Sequence, residues 1–317
     1  MEDALKNKVE SEGFLIKNTI RDNVLHVVKD KKDYIYKTSE KRWETFSSIL
    51  GKIFALTGIN RQNFRNEIAI HQHLSGQSFE TLRVPELYDT DGKSYLVMDY
   101  IEGTMGRWYT PEMDKVLIRS LVDLQLSIIN KKNLLEYNML SFLRRPFWNV
   151  IRMVWTIALP KLGFIIAFKC FALCLRLQRS VSPNKSPLLL HKDINNKGNI
   201  ISNPQGEMYF IDFESCLQES KWVLTDIIEI IYSFKDEYMD VALFEIYIQK
   251  MRAEGFIDRD FDVKSQVRFA MLRNAIKYLG FDQLFISHRK QLLQIILPDE
   301  KYDLWFYETF EKENATL

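Results

Sequence analysis

The chain has 317 residues, of which 46% are hydrophobic, and its 43 basic and 42 acidic residues give a formal net charge of +1. This size and apolar content allow one large domain or two lobes around a buried core, and the balanced charge argues against a nucleic-acid-binding protein. The three cysteines (Cys170, Cys174 and Cys216) lack CxxC spacing, which argues against a disulfide framework or a cysteine-bound zinc ion and indicates a reducing compartment.

Residues 1–101 predict a small β-rich lobe. The N-terminal segment MEDALKNKVESEGF is charged throughout and lacks the apolar run of a secretory signal, so we expect a cytoplasmic protein. Residues 13–38 alternate apolar and polar side chains, with polar breaks at 21–23 and 29–33, which predicts three short antiparallel strands. A helix is predicted at 61–75, capped by Asn60. Two more strands are predicted in VPELYDTDGKSYLVMDY, turning at Asp91-Gly92.

Residues 102–317 predict a larger lobe that is mainly helical. A helix begins at Thr110-Pro111, and its apolar residues recur at three- and four-residue steps: Met113, Leu117, Leu121, Leu124 and Ile128. From about residue 222 to the end the pattern is again mostly helical, whereas a short β-like patch surrounds HKDINNKGNI at 191–200. The sequence therefore predicts an α+β protein with two lobes.

Two neighbouring motifs, HKDINNKGNI and FIDFE, place Asp193, Asn199 and Asp212 within twenty residues. Phosphoryl transfer needs a carboxylate to orient the accepting hydroxyl and oxygen ligands that hold magnesium against the nucleotide phosphates. Asp193 could accept the hydroxyl proton, while Asn199 and Asp212 offer oxygen ligands to one metal ion. The alternative is that these polar side chains serve turns around the strands. Their order and the apolar strand before Asp212 favour the functional interpretation.

These motifs resemble those of the protein-kinase-like phosphotransferases, nearest the branch that includes aminoglycoside phosphotransferases, choline kinases and lipopolysaccharide core kinases. The resemblance covers most of the chain in order. It implies a bilobal fold, ATP and Mg²⁺ as cofactors, and transfer of the γ-phosphate to an alcohol group. The site residues that it implies are Asp193 as the catalytic residue, Asn199 and Asp212 as metal ligands, Lys37 with its partner Glu67 at the nucleotide phosphates, Asp99, Tyr100 and Ile101 at the nucleotide edge, and His191 and Asp226 as supports of the catalytic loop.

Two features depart from the family pattern. Asp193 and Asn199 are six residues apart, where the family usually has five, and the turn NTIRDNV between the first two strands has no glycine to lie closely on phosphates. A second hypothesis therefore stays open, namely a catalytically silent kinase-like module that binds nucleotide or a partner. Lys197, within the motif, is interpreted as a solvated loop lysine rather than a phosphate ligand.

Residues 137–192 contain no Asp or Glu but nine Lys or Arg residues, and they are rich in Trp and Phe. Pro160, Lys161 and Lys169 interrupt the apolar run, so a membrane-spanning helix is not predicted. Two interpretations are equally open. The helices pack within the second lobe with basic side chains reaching outward, or they form a surface that binds anionic lipid headgroups. Cys170 and Cys174 are predicted to be core residues in either case.

The second interpretation of this segment bears on the acceptor. A protein peripheral on the cytoplasmic face of a membrane could phosphorylate a membrane-bound glycolipid, such as a sugar of a lipopolysaccharide core. The first interpretation leaves a small-molecule acceptor. The acceptor is therefore expected to be a small molecule or a glycolipid sugar.

Overall fold

A computed structural model of the chain describes residues 2–21, 23–39, 59–105, 111–131, 133–137, 144–194, 199–233, 238–258, 260–280 and 285–310. Within these ranges the helices are α1 (Glu2–Ser11), α2 (Ile59–Ser75), α3 (Pro111–Leu126), α4 (Pro146–Met153), α5 (Leu159–Leu162), α6 (Phe164–Ser180), α7 (Thr225–Ile231), α8 (Val241–Ala253), α9 (Val263–Leu279), α10 (Phe285–Ile295) and α11 (Asp299–Phe310). The strands are β1 (Leu15–Arg21), β2 (Val24–Lys29), β3 (Lys32–Thr38), β4 (Leu87–Thr90), β5 (Tyr95–Asp99), β6 (Thr104–Met105), β7 (Leu188–Leu190), β8 (Ile200–Ser202), β9 (Met208–Phe210), β10 (Leu217–Glu219), β11 (Tyr232–Ser233) and β12 (Tyr238–Met239).

The chain divides into two compact units, each assembled from separate segments. Unit 1 consists of Met1–Trp108, Asn133–Ser141 and Asn196–Cys216. Unit 2 consists of Tyr109–Lys132, Phe142–Asn195 and Leu217–Leu317. A five-stranded antiparallel sheet and many helices confirm the predicted α+β class.

The main sheet of unit 1 has the strand order β1-β2-β3-β5-β4, with antiparallel neighbours throughout. These are the five predicted strands. Side chains alternate across the sheet, and one face buries Tyr34, Tyr36 and Val97 against Val9 of α1. Helix α1 was not predicted from the sequence, because its ten residues are mostly charged or polar and few of them enter the core.

The opposite face of the same sheet packs on α2, whose bounds extend the predicted helix at 61–75 by two residues. Phe64 and Ile68 of α2 form a core cluster with Leu96 and Met98 of β5. The predicted cap, Asn60, has a side chain outside the described part of the structure.

A second, three-stranded sheet in unit 1 has the order β6-β8-β9. Strand β6 pairs with β8, and β8 forms a hairpin with β9 in which Ile200 lies opposite Phe210. The amide of Ile211 also donates to the carbonyl of Asn199 at 3.1 Å. The hairpin therefore brings the backbone of Asn199 beside that of Ile211, immediately before Asp212.

Unit 2 is mainly helical, as the sequence predicts. Leu117, Leu121 and Leu124 of α3 are fully buried, so the apolar stripe of this helix faces the core. Thr110, its predicted first residue, lies outside the described residues. Trp222 stacks on Phe269 of α9 with ring centroids 3.7 Å apart.

The described part of the acid-free segment forms α4, a π-helical turn at Val154–Ala158, α5, α6 and β7. Cys170 and Cys174 are buried on α6, as predicted. Gly163, with φ +81°, separates α5 from α6 in a conformation that favours glycine. Among the described helices, none combines the length and apolarity needed to cross a bilayer.

The turn between β4 and β5 depends on Asp91, whose carboxylate accepts from the amides of Lys93, Ser94 and Tyr95 at 2.8, 2.7 and 3.1 Å. Desolvation acts to raise the pKa of Asp91, but these bonds and that from the Ser94 hydroxyl outweigh it and hold the pKa well below its usual range. Ionised Asp91 therefore stabilises the turn.

We expect Asp91→Asn to lower the free energy of unfolding by about 1 kcal/mol near neutral pH, a figure reduced for solvent screening at this exposed site. Since the folded-state pKa is depressed, this stabilisation is present above the usual value of 3.8 and is lost as the pH falls below it. Denaturant unfolding at several pH values measures the difference. Glu80→Gln, at an exposed carboxylate, is the matched control and should leave stability unchanged.

Candidate active site

Lys37 lies on β3, on the face of the sheet that packs against α2. Glu67 is on the inner face of α2, one helical turn from Phe64, so the helix packing points its carboxylate at β3. The Lys37 Nζ lies 2.8 Å from Glu67 Oε1. Both side chains are buried, at 8% and 0% exposure. The sequence prediction named this pair, and the structure brings its members together.

Asp212 and Glu214 also reach Lys37, from the segment that follows β9. The Lys37 Nζ is 2.9 Å from Asp212 Oδ1 and 3.4 Å from Glu214 Oε1. Asp212 has φ +60°, a left-handed conformation that costs energy for a residue other than glycine. Between them Phe213 is fully buried, which turns the two flanking carboxylates toward Lys37. One ammonium group is thus surrounded by three carboxylates.

This cluster has an unusual charge balance. Burial acts to lower the pKa of Lys37, but the charges of Glu67, Glu214 and Asp212 outweigh burial and raise it above its usual value. Burial raises the pKa of Glu67 to about 7, although Lys37 opposes the shift. Three carboxylates exceed one ammonium, so the cluster has spare negative charge for a further cation.

The distances among the same three carboxylates indicate whether a magnesium ion would fit between them. Each of Glu67, Asp212 and Glu214 offers an oxygen, and these atoms lie within 4.8 Å of one another. Carboxylate oxygens are the ligands that Mg²⁺ prefers in proteins. Asn199, the other predicted ligand, is buried at the start of β8, with its backbone bonded beside Asp212. The donor set therefore fits a magnesium ion.

Sequence reasoning missed the role of Glu214. Glu214 belongs to the quoted FIDFE motif, but a carboxylate where protein kinases have glycine suggested no role from the sequence alone. His71 is fully buried on α2, and its ring meets Phe213 edge to face at 5.0 Å. Burial, then the charge of Lys37, lower the pKa of His71 to about 3. His71 is therefore a neutral packing partner of Phe213.

A cleft of about 370 Å³ in unit 1 adjoins this cluster. The residues that line it include the predicted nucleotide-binding residues Lys37, Asp99, Tyr100 and Ile101, and the predicted metal ligand Asp212. Apolar side chains cover much of the rest, among them Val24, Ile35, Met98, Ile201 and Ile211. A flat apolar group could lie between these side chains, with its polar end toward Lys37.

The edge of the cleft after β5 exposes a backbone donor. The amides of Asp99 and Tyr100 donate to the carbonyls of Glu86 and Asp33, at 2.9 and 3.2 Å. Within the described residues, the amide of Ile101 donates no hydrogen bond. Ile101 lines the cleft, so its amide can bind an acceptor atom of a ligand there.

A ring stack on Tyr100 and the close approach of Gly103 to β8 hold this edge in place. The ring of His26, on β2, stacks on Tyr100 with centroids 4.2 Å apart and an interplanar angle of 5°. His26 Nε2 lies 2.7 Å from Asp33 Oδ1. Gly103 runs so close to β8 that an added Cβ would lie 2.3 Å from the Ser202 carbonyl oxygen.

The turn between β1 and β2 has no glycine but contributes Arg21 and Asn23 to the cleft lining. Asn23 is bonded to β3 in two ways. Its side-chain amide donates to the Thr38 carbonyl at 2.9 Å, and its backbone carbonyl accepts from the Thr38 amide. A guanidinium could supply charge to phosphates here in place of the backbone amides of a glycine-rich loop. Residue 22 lies outside the described part of the turn.

In unit 2, Asp226 of α7 holds the segment that carries Asp193. Its carboxylate accepts from the amides of His191 and Lys192 at 2.6 and 3.0 Å. Burial raises the pKa of Asp226, while His191 and the two amide bonds oppose that shift. Lys192, which directly precedes Asp193, has φ +67° and is therefore left-handed, as Asp212 is. His191 and Asp226 are fully buried, and Asp193 directly follows this fixed backbone.

Lys192 differs from the outward-facing lysine that its place in the basic segment suggested. It is half-buried, and its Nζ donates to the Arg144 carbonyl at 2.7 Å. Burial, together with the charges of Arg144 and Arg273, lowers its pKa well below the usual value. Residues 195–198, which include Lys197 and the extra loop residue, lie outside the described residues.

We expect Lys37→Met to lower the free energy of unfolding by about 3 kcal/mol or more, because it leaves three carboxylates together without their cation. Urea unfolding measures the loss. Lys32→Met is the matched control, since Lys32 forms an exposed pair with Asp99 at 2.9 Å and should have little effect. Equal losses in the two variants would contradict the importance of the buried cluster.

We expect Gly103→Ala to cost about 2–3 kcal/mol of stability, because the new Cβ overlaps a backbone carbonyl that no rotamer change can move. The displaced edge of the cleft should also weaken nucleotide binding. Gly76→Ala is the control, since nothing lies within 4 Å of its added Cβ. Thermal unfolding with and without nucleotide compares the two, and a Gly103→Ala protein as stable as Gly76→Ala would contradict the close approach.

No protein-family model matches the sequence, and no curated protein matches it. Solved structures do match. Choline kinase LicA from Streptococcus pneumoniae has a TM-score of 0.55 at 16% identity, covering 93% of this chain and 98% of that chain. An aminoglycoside phosphotransferase from Alicyclobacillus acidocaldarius has a TM-score of 0.53 at 14% identity, covering 95% and 93%. Ethanolamine kinase from Plasmodium vivax has a TM-score of 0.50 at 14% identity, covering 92% and 84%. The chain therefore has the fold of the protein-kinase-like phosphotransferases.

Proposed function

We propose that this protein is a kinase that uses ATP and Mg²⁺ to phosphorylate a hydroxyl group of a small molecule or a glycolipid sugar. The observation that carries the proposal is the Lys37 ammonium held among Glu67, Asp212 and Glu214 beside the cleft. A cation for phosphates and carboxylates for a metal ion are the two requirements of phosphoryl transfer. The fold is that of choline, ethanolamine and aminoglycoside kinases, and one matching structure is LicA in complex with AMP.

In this proposal the nucleotide occupies the cleft of unit 1. The adenine accepts a hydrogen bond from the amide of Ile101, at the edge formed with Asp99 and Tyr100, while Lys37 binds phosphate oxygens and Glu67 orients Lys37. Asp212 and Asn199, with Glu214 close by, would hold Mg²⁺. When bound, the ion would neutralise charge on the phosphates.

The acceptor side of the reaction belongs to Asp193. We propose that its carboxylate orients the acceptor hydroxyl and takes its proton, and that Asp226 and His191 keep the backbone before it in place. Both predicted lobes then take part: residues 1–101 supply Lys37, Glu67 and the edge at Ile101 for the nucleotide, and residues 102–317 supply the metal ligands, Asp193 and the acceptor site.

Of the two kinds of acceptor, we propose a glycolipid, such as a lipopolysaccharide core saccharide, which is phosphorylated at the cytoplasmic face of a membrane. The acid-free basic segment supports this choice, because a surface that attracts anionic headgroups would bring the enzyme to a lipid-linked sugar. Choline, ethanolamine and aminoglycosides are the small-molecule candidates that the matching structures suggest.

The test is phosphate transfer from ATP to a panel of choline, ethanolamine, aminoglycosides and lipopolysaccharide core sugars. We expect Asp193→Asn to lower kcat by about 10²-fold or more with nucleotide affinity unchanged. Asp212→Ala should remove the Mg²⁺ dependence of the thermal shift caused by ATP. Glu254→Gln, an exposed carboxylate of unit 2, is the control for Asp193→Asn and should retain full activity.

Two results would contradict the proposal in different ways. An unchanged kcat in Asp193→Asn would remove Asp193 from the mechanism. A wild-type protein that binds ATP and Mg²⁺ but neither hydrolyses ATP nor phosphorylates any acceptor of the panel would favour the second hypothesis, a silent nucleotide-binding module.

A further inference from the structure

Exposed aromatic and basic side chains alternate along α4 and the π-helical turn that follows it. Trp148, Arg152 and Trp155 are spaced by four and three residues, which places them on one side of the helix. All three are exposed, with Trp148 at 43% and Trp155 at 40%. The core of unit 2 does not use this side of α4, since it buries Val150 and Met153 instead.

The N-terminal turn of α6 also exposes large apolar side chains. Phe164, Ile165 and Phe168 are exposed at 64%, 73% and 52%. These values are high for large apolar side chains placed so close together. Lys169, next to Phe168, is also exposed. The opposite face of α6 buries Ala167, Cys170, Leu173, Cys174 and Leu177, so the helix fills the core without the exposed residues.

Two ring contacts connect aromatic side chains in this region. The rings of Phe164 and Phe168 stack with centroids 6.0 Å apart. Trp155 packs on Phe171 of α6 at 5.6 Å, which links the π-helical turn to α6. We call Arg152, Trp155, Phe164, Ile165, Phe168 and Lys169 the α6 patch.

The charge of the segment around the α6 patch identifies its partner. No Asp or Glu occurs anywhere in residues 137–192. At the far end of α6 the charge of Arg176 is neutralised by Asp299 at 2.8 Å, and Lys192 is half-buried, with its Nζ bonded to the Arg144 carbonyl. The α6 patch, by contrast, combines exposed apolar side chains with the exposed basic side chains of Arg152 and Lys169. A second copy of the chain would bring like charges together across a symmetric contact.

We propose that the α6 patch docks the protein on an anionic membrane surface. Phe164, Ile165 and Phe168 enter the boundary between headgroups and acyl chains, and Trp155 lies at headgroup level. Arg152 and Lys169 bind the lipid phosphates. An anionic bilayer offers both an apolar layer and negative charge, which matches the two properties of the patch. The docking does not depend on phosphotransfer, because no residue of the patch belongs to the proposed site.

The experiment is flotation of the full chain with vesicles, without nucleotide. Vesicles of phosphatidylcholine mixed with phosphatidylglycerol are compared with vesicles of phosphatidylcholine alone, at low and high salt. We expect binding to the anionic vesicles that weakens with salt. The triple variant Phe164→Ser, Ile165→Ser, Phe168→Ser should lose binding at every salt concentration. The double variant Arg152→Glu, Lys169→Glu should bind at least about 30-fold more weakly at low salt.

Each variant has a matched control on another surface. Leu15→Ser, Leu304→Ser, Tyr307→Ser removes three large apolar side chains that are 72%, 60% and 48% exposed. Lys115→Glu, Lys301→Glu makes the same change of charge at two exposed lysines. Both controls should bind like the wild type, and circular dichroism should show every variant folded.

Three outcomes would overturn the proposal. One is a wild-type chain that does not float with anionic vesicles at low salt. Another is equal loss of binding in the patch variants and their controls. The third is a wild-type dimer in analytical ultracentrifugation that the triple variant dissociates, with no vesicle binding, which would assign the patch to a second copy of the chain. Kinase activity plays no part in these readouts, so failure here leaves the proposed phosphotransfer untouched and removes only the support that the basic segment gives to a glycolipid acceptor.

Discussion

The buried ion cluster of Lys37 is the interaction on which the rest of unit 1 depends. An ammonium group at 8% exposure could not stay charged without its carboxylates, and three carboxylates so close together could not all stay ionised without the ammonium. The sheet supplies Lys37, helix α2 supplies Glu67, and the segment after β9 supplies Asp212 and Glu214. Each element is therefore held in place by a charge requirement as well as by apolar packing. The spare negative charge of the cluster also gives a cation a reason to bind there.

The sequence predicted most of this fold because its local signals agree with the tertiary structure. Period-two alternation marked the five strands of the main sheet, and turn residues such as Asp91 marked where they end. The Lys37–Glu67 pair could be named because the strand and the helix were both recognised. What could not be predicted was set by contacts between distant segments. Helix α1 has a weak apolar pattern, and Lys192 has the sequence context of a surface lysine, although in the structure it is half-buried and bonded to the backbone of Arg144.

Glu214 illustrates a different limit of sequence reasoning. Four residues after the end of β9, a glutamate is ordinarily a solvated side chain, and no spacing rule connects it with Lys37. Its role depends on the burial of Phe213 and on the left-handed backbone of Asp212, which together turn both carboxylates inward. The motif HKDINNKGNI, by contrast, could be recognised from the sequence. Their order identified a loop, and the structure adds that Asp226 fixes the backbone just before Asp193 through two amide bonds.

The discontinuous make-up of unit 1 has a consequence for how the chain folds during synthesis. Lys37 and Asp212 are 175 residues apart in the sequence, although they are in contact. The main sheet and α2 emerge from the ribosome first, with Glu67 facing Lys37. Strands β8 and β9 and Asp212 emerge only after Tyr109–Lys132 and Phe142–Asn195 of unit 2. Closing so long a loop is slow and entropically costly. Unit 1 therefore cannot finish folding as an independent N-terminal domain, and a chain truncated before residue 211 would present an incomplete cleft to chaperones and proteases.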